Sequence, residues 1–150
     1  LREDPQRPPE SDTPAHCRWW VTGERGTAQV EIRLTPERQP RVQSFVVAVP
    51  PAAGSPLAAA LAAVIGLLND GAAPWPESLP AAPSLDTALV LRQLRMAAAW
   101  AGASRPEAFR AGDGAASVTI ELAGEFAPIL LAVAVSGDGL LQQAEVMLSD

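Results

Sequence analysis

GTAQVEIRLTPERQPRVQSFVVAV, residues 26–49, is the stretch that decides the fold. Val30, Ile32 and Leu34 alternate with Glu31 and Arg33, and a period of two is the mark of a half-buried strand. That alternation predicts an apolar face of Val30, Ile32 and Leu34 turned to the core. Thr35 to Pro40 is rich in turn-forming residues, so the chain reverses there. A second strand then runs from Val42 to Val49 and stops at Pro50-Pro51, because proline cannot donate to a ladder.

The same pattern recurs 88 residues later, in GAASVTIELAGEFAPILLAVAVSG (114–137), without a gap. Gly26, Ala28, Val30, Ile32, Leu34, Glu37, Pro40 and Val47 fall on Gly114, Ala116, Val118, Ile120, Leu122, Glu125, Pro128 and Val135. Hairpin 27–49 is thus similar to hairpin 115–135. Duplication of one unit accounts for this, and so does convergence of two amphipathic hairpins, since alternation alone makes Val, Ile and Leu interchangeable. The matched Glu and Pro in the connections favour duplication. On that reading the N-terminal copy lacks the helices that precede the C-terminal one, or those helices lie outside this chain.

Outward from the hairpins, Arg18 to Val21 forms a further strand, turned by Gly23-Glu24-Arg25-Gly26. Residues 1–16 carry four prolines and many charges without apolar periodicity, which predicts a disordered tail or linker. Between the hairpins, Ser55-Pro56 is a helix start, and Leu57, Leu61, Val64, Ile65 and Leu68 follow at helical spacing until Asn69-Asp70-Gly71. Ser84 opens a second helix, with Leu85, Leu89, Met96 and Trp100 on one face and Leu91, Leu94 and Ala98 beside them. Gly102 closes it. Ile129 to Val135 is a central strand, Ser136-Gly137-Asp138-Gly139 a hairpin turn, and Leu140 to Leu148 the return strand. The expected architecture is α+β, two helices packed on a curved antiparallel sheet, with residues 17–150 forming one domain.

The composition narrows the function classes. The formal net charge is −6 and all eleven basic residues are Arg, whereas binding to phosphate backbones needs a basic surface. Arg25, Arg33, Arg38 and Arg41 alternate with Glu24, Glu31 and Glu37, which describes a solvated mixed face. One Cys excludes an internal disulfide, and one Cys with one His cannot fill a zinc site unaided. No apolar run reaches membrane-spanning length, and no signal-peptide pattern opens the chain, which predicts a cytoplasmic protein. The Ala-rich, Lys-free usage is that of a GC-rich bacterial coding sequence. The missing initiator Met fits a part of a larger protein.

LAAVIGLLNDGAAPW (61–75), AGDGAASVTIEL (111–122) and VAVSGDGLLQQAEVML (133–148) resemble the first helix and later strands of nuclear transport factor 2-like domains, over about residues 57–150. The resemblance is nearest to the accessory version of that domain found beside bacterial hydrolases. It implies a cone-shaped α+β fold. Enzymatic relatives carry a cavity carboxylate or His, and no position here matches such a motif, so no catalytic residue is carried over.

The residues themselves offer few chemical constellations. His16 and Cys17 are sequence neighbours beside the tail, a poor geometry for a nucleophile and its base. Asp113 and Asp138 sit between glycines, where Asp is a turn residue. Glu121 alternates away from Val118, Ile120 and Leu122, and Asp86 lies in a first helical turn, where negative charge is favoured. Trp75, Met96, Trp100 and Phe109 are candidate lining for a small apolar pocket, or else they fill the space between helices and sheet. Trp19 and Trp20 must point to opposite sides of their strand, so one of them is a candidate interface residue. The sequence therefore reads as a non-enzymatic accessory or interaction domain contacting a neighbouring domain or a second copy. The alternative is a cavity protein for a small apolar molecule, of isomerase or cyclase type. No cofactor, metal, nucleic acid or membrane is assigned.

Overall fold

The computed structural model describes residues 2–24 and 26–149. Leu1, in the expected tail, Arg25, in the expected turn, and Asp150 lie outside them. The architecture is α+β with two helices, but the strands form two antiparallel sheets where a single curved one was expected.

Sheet A holds β1 (Arg2–Glu3), β2 (Glu10–Thr13), β3 (His16–Gly23), β4 (Gly26–Leu34) and β5 (Val42–Ala48). β3, β4 and β5 form a meander, and β1 and β2 both pair with the free edge of β3. Residues 2–3 and 10–13, expected in a disordered tail, are therefore strands. All six are exposed, which explains why composition conceals them. They hold by backbone bonds to an open edge, which need no apolar side chain.

α1 (Pro56–Asn69) and α2 (Thr87–Ala101) follow, and then sheet B: β6 (Ser104–Gly112), β7 (Ser117–Gly124), β8 (Ile129–Val135) and β9 (Leu141–Leu148), paired in sequence order. Ser55 caps α1, its Oγ accepting from the Ala58 amide at 3.2 Å. α2 is capped by Asp86, which accepts from the Leu89 amide at 3.0 Å, two residues beyond the expected Ser84. Its buried residues are Val90, Leu94 and Ala101, while Leu89, Met96 and Trp100 are exposed. The expected inward face of α2 is thus corrected. Apolar residues surround most of this helix, so periodicity leaves two overlapping faces. The one rich in small side chains packs.

β6 has no counterpart in the sequence reading. It carries Pro106 and two bulges, so it has no clean alternation, and proline is tolerated on such an edge strand.

The core lies between the helices and sheet B. Leu57, Val64 and Leu68 of α1 and Leu94 of α2 meet Val118, Ile120, Leu122, Ile129, Leu131, Val133 and Leu141, and this cluster contains no residue of sheet A. In β8 the run ILLAVAV is apolar throughout, yet burial alternates strictly, with Ile129, Leu131, Val133 and Val135 on the core side. The two similar hairpins both form, with different pairing. Val30 pairs with Val47, whereas their counterparts Val118 and Val135 do not pair, Val118 lying opposite Val133. A displacement of two residues keeps every side chain on its face but changes every cross-strand neighbour.

Candidate functional site

Two features of sheet A stand apart from the core. The first follows from pairing. Trp19, Val30 and Val47 are cross-strand neighbours, as are Cys17, Ile32 and Phe45, so these six side chains share one face. The other face bears His16, Arg18, Trp20, Gln29 and Glu31, and it is this polar face that turns toward sheet B. The Gln29 Oε1 accepts from the Phe109 amide at 3.1 Å, meeting a donor on the unpaired edge of β6. Trp20 packs edge-on against Phe109, ring centroids 6.3 Å apart, and the Arg7 guanidinium covers it at 4.4 Å. The apolar face therefore lies on the side away from sheet B and outside the main core, against the sequence expectation for Val30, Ile32 and Leu34. Val30 is nonetheless buried on it, and Cys17, Trp19, Ile32 and Leu34 are half-buried. Phe45 is 61% exposed and Val47 47%.

The inversion is made possible by a charged clasp. Glu31, nearly buried, accepts from Arg33 Nε at 2.9 Å and from Arg110 Nη1 at 2.9 Å. Arg18 Nε lies 3.5 Å from the same carboxylate without making a hydrogen bond. Arg110 continues to Glu121 on β7, so the chain Glu31–Arg110–Glu121 ties β4 to β6 and β7. His16 presents Nε2 to Glu31 at 3.0 Å and Nδ1 to Asp12 at 3.1 Å, and only the imidazolium form donates through both nitrogens. Burial pushes the Glu31 carboxyl up, but Arg33, Arg110, Arg18 and His16 outweigh it and hold it below the ordinary carboxylate range. A hollow of about 290 Å³ opens beside the clasp, lined in part by His16, Arg18, Arg33 and Arg110. Its charges already face Glu31, Glu121 and Asp12, so the arrangement is a fastener with compensated charge. No group of three or more metal-ligating side chains occurs among the described residues.

The four candidate pocket residues do not converge. Met96 and Trp100 line an open groove of about 390 Å³ between α2 and β9, with Ile129, Val146, Met147 and Leu148. Trp75 lies in the connector between the helices, packed against the core, its indole N–H donating to the Leu79 carbonyl at 2.8 Å. Phe109 lies on β6 against Trp20. Of the two candidate interface residues, Trp20 is enclosed by Phe109 and Arg7, and Trp19 belongs to the outward apolar face. Asp113 accepts from the amides of Ala115, Ala116 and Ser117 at 2.8–3.0 Å. The bonds to Ser117, Ala115 and Ala116 hold its carboxyl low, and they account for it as a turn residue. The sequence reading did not single out Glu31 or Arg110. Arg110 is 79 positions from Glu31, and no local pattern links them.

No family model, curated protein or solved structure matches the chain. No helix among the described residues is long and apolar enough to cross a membrane.

Proposed function

We propose that this chain is an interaction domain that docks onto another polypeptide through the outward apolar face of sheet A. The single observation behind the reading is that face: Phe45 and Val47 are exposed on it beside half-buried Trp19 and Ile32 and buried Val30, and none of the five belongs to the core cluster. Contiguous apolar patches on soluble proteins are typically a few hundred Å² at most, and larger ones mark interfaces. The inward polar face supports the same reading. A sheet selected only for its own stability would bury the whole apolar side, whereas here Gln29 and Glu31 are buried as deeply as Val30, and Phe45 and Val47 are exposed. The helix–helix–meander order of residues 56–148 is compatible with a nuclear transport factor 2-like accessory domain.

The test is position-specific photocrosslinking in cells making the protein. A photoreactive residue at position 45 is expected to give discrete adducts with a polypeptide, and the same residue at exposed Arg92 on α2 is not. Equal yields at both positions would overturn the reading.

A further inference from the structure

We infer that a second, separate binding site lies at the free edge of sheet B, where an extended peptide segment of another protein adds as a fifth strand beside β9 and seats its apolar side chains in the groove against α2. The backbone carries the argument. β9 is the terminal strand of its sheet. Its outer edge is paired only at Leu141, which donates to the Pro80 carbonyl and accepts from the Ala82 amide, both at 2.8 Å. The chain thus already lays one residue of parallel strand on this edge and then leaves it for α2. From Gln142 to Leu148 the edge receives no further strand among the described residues, a length of about 23 Å at about 3.3 Å per residue. Exposed edges are ordinarily blunted by proline, charge, bulges or a covering element. β6, at the opposite edge, has Pro106 and two bulges, and the Gln29 side chain meets its Phe109 amide. Beyond Gln142, β9 has no proline and Glu145 as its one charge. Unpaired amides and carbonyls call for a polypeptide backbone, which separates this groove from an apolar surface open to any occupant.

The side chains define the segment that fits. Val146 and Leu148 lie on the core side of sheet B, opposite Leu131 and Ile129, yet α2 leaves this end of the sheet partly uncovered. Leu148 is 65% exposed, Met96 68% and Trp100 47%. A strand laid beside β9 sets alternate side chains on that side, where they meet Met96, Trp100 and Leu148 across the groove of about 390 Å³. The intervening side chains stand level with Gln143 and Glu145 on the opposite side, which is exposed to solvent. The segment recognised therefore alternates apolar with polar residues over about six positions. Thioether side chains adapt to irregular apolar shapes, so Met96 and Met147 suit a set of related sequences. Arg92, the silent position of the crosslinking experiment, does not line this groove.

Panning a phage-displayed library of random dodecapeptides on the purified chain tests this directly. Enriched peptides are expected to carry apolar residues at every second position and to slow amide exchange in β9 between Gln143 and Leu148. Met96→Glu, at an exposed site, should bind them at least tenfold more weakly with unchanged far-ultraviolet circular dichroism. Phe45→Glu, on sheet A, should bind them like the parent. N-methylation of an enriched peptide, one residue at a time, should abolish binding at every second residue only, because alternate amides of a strand face the same neighbour. The inference is overturned if no peptide is enriched, if Met96→Glu binds like the parent, or if N-methylation is tolerated throughout. Peptides lost in Phe45→Glu instead would support docking at sheet A and remove this site. Oleate that binds the parent but not Met96→Glu, with no peptide enriched, would assign the groove to a small apolar molecule.

Discussion

Glu31→Gln should loosen sheet A while leaving the core unaffected. The substitution keeps the side chain's shape and removes the charge on which Arg33, Arg110 and His16 converge. Hydrogen bonds to charged groups contribute about 1.5–3 kcal/mol each when shielded from solvent, while solvated ion pairs contribute about 0–1 kcal/mol. Arg33 is more than half exposed and belongs to the second class, whereas Arg110 is largely covered. Arg110 also keeps Glu121 after the change, which limits the damage. The expected loss is therefore about 2–3 kcal/mol, or roughly 30- to 160-fold in a local opening equilibrium. Because the apolar cluster contains nothing from sheet A, that loss should fall on β3, β4 and β5 alone. Hydrogen exchange read by mass spectrometry separates the two regions, since exchange reports the free energy of each local opening. Amides of β3–β5 should exchange faster by that factor, and those of α1 and β8 should keep the parent rates. Uniform acceleration would refute the idea that sheet A is fastened separately from the core. Unchanged exchange throughout would refute the role of Glu31 as its fastener.

Acid should reproduce the same loosening. With its folded-state pKa depressed, Glu31 contributes its full stabilisation above the unfolded-chain value of about 4.3 and loses it as the pH falls from there through the lower folded value. Exchange in β3–β5 of the parent should therefore accelerate over that acidic window, and in Glu31→Gln the acceleration should be much reduced; an identical pH profile in both would assign the effect elsewhere. Gly114→Ala should destabilise by about 2 kcal/mol or more, since Gly114 has φ +73° and its added Cβ would lie 2.7 Å from the Pro50 carbonyl, and left-handed geometry alone costs about 1–2 kcal/mol for other residues. Gly66→Ala on the exposed side of α1, with no atom within 4 Å of the new methyl, should instead stabilise by up to about 1 kcal/mol; urea titrations of the pair should show midpoints moving in opposite directions.

Legibility in the sequence followed the range of the forces involved. α1 was readable because its signals are local: Ser55 and Pro56 at the start, apolar residues at helical spacing, and a stop after Asn69. β4 and β7, with clean alternation, were readable for the same reason, and so was the opposition of Trp19 and Trp20. β6 was not, because Pro106 and two bulges erase its period. The cap of α2 was misplaced by two residues because Ser84 and Asp86 carry equivalent chemistry. The error of most consequence concerned β4. Alternation divides a strand into two faces, but which face turns inward is decided by what stands opposite. Here that is Arg110, Phe109 and the unpaired edge of β6, all supplied by a distant part of the chain.

The two hairpins show how context alone separates like sequences. Val118, Ile120 and Leu122 are covered because α1 and α2 lie over them. Val30, Ile32 and Leu34 present the same pattern outside the cluster that α1 and α2 cover; Val30 alone of them is buried, and Ile32 and Leu34 are half-buried. With only one pair of helices available, two apolar sheet faces could not both be closed within the described residues. Sheet A could have turned its apolar face against the outer face of sheet B, but Glu121 and Arg110 occupy that contact and would have been left without Glu31. Arg110 and Glu121 would keep each other there, so the cost is the lost hydrogen bond to Glu31, about 1.5–3 kcal/mol, comparable to leaving one apolar side chain in water at about 1.5–3 kcal/mol. The clasp thus makes this orientation tolerable for the isolated chain, and the exposed Phe45 and Val47, with half-buried Trp19 beside them, remain available to a partner. Replacing the whole clasp by apolar residues should, on this argument, favour the opposite orientation and abolish docking together with the exposure of Phe45.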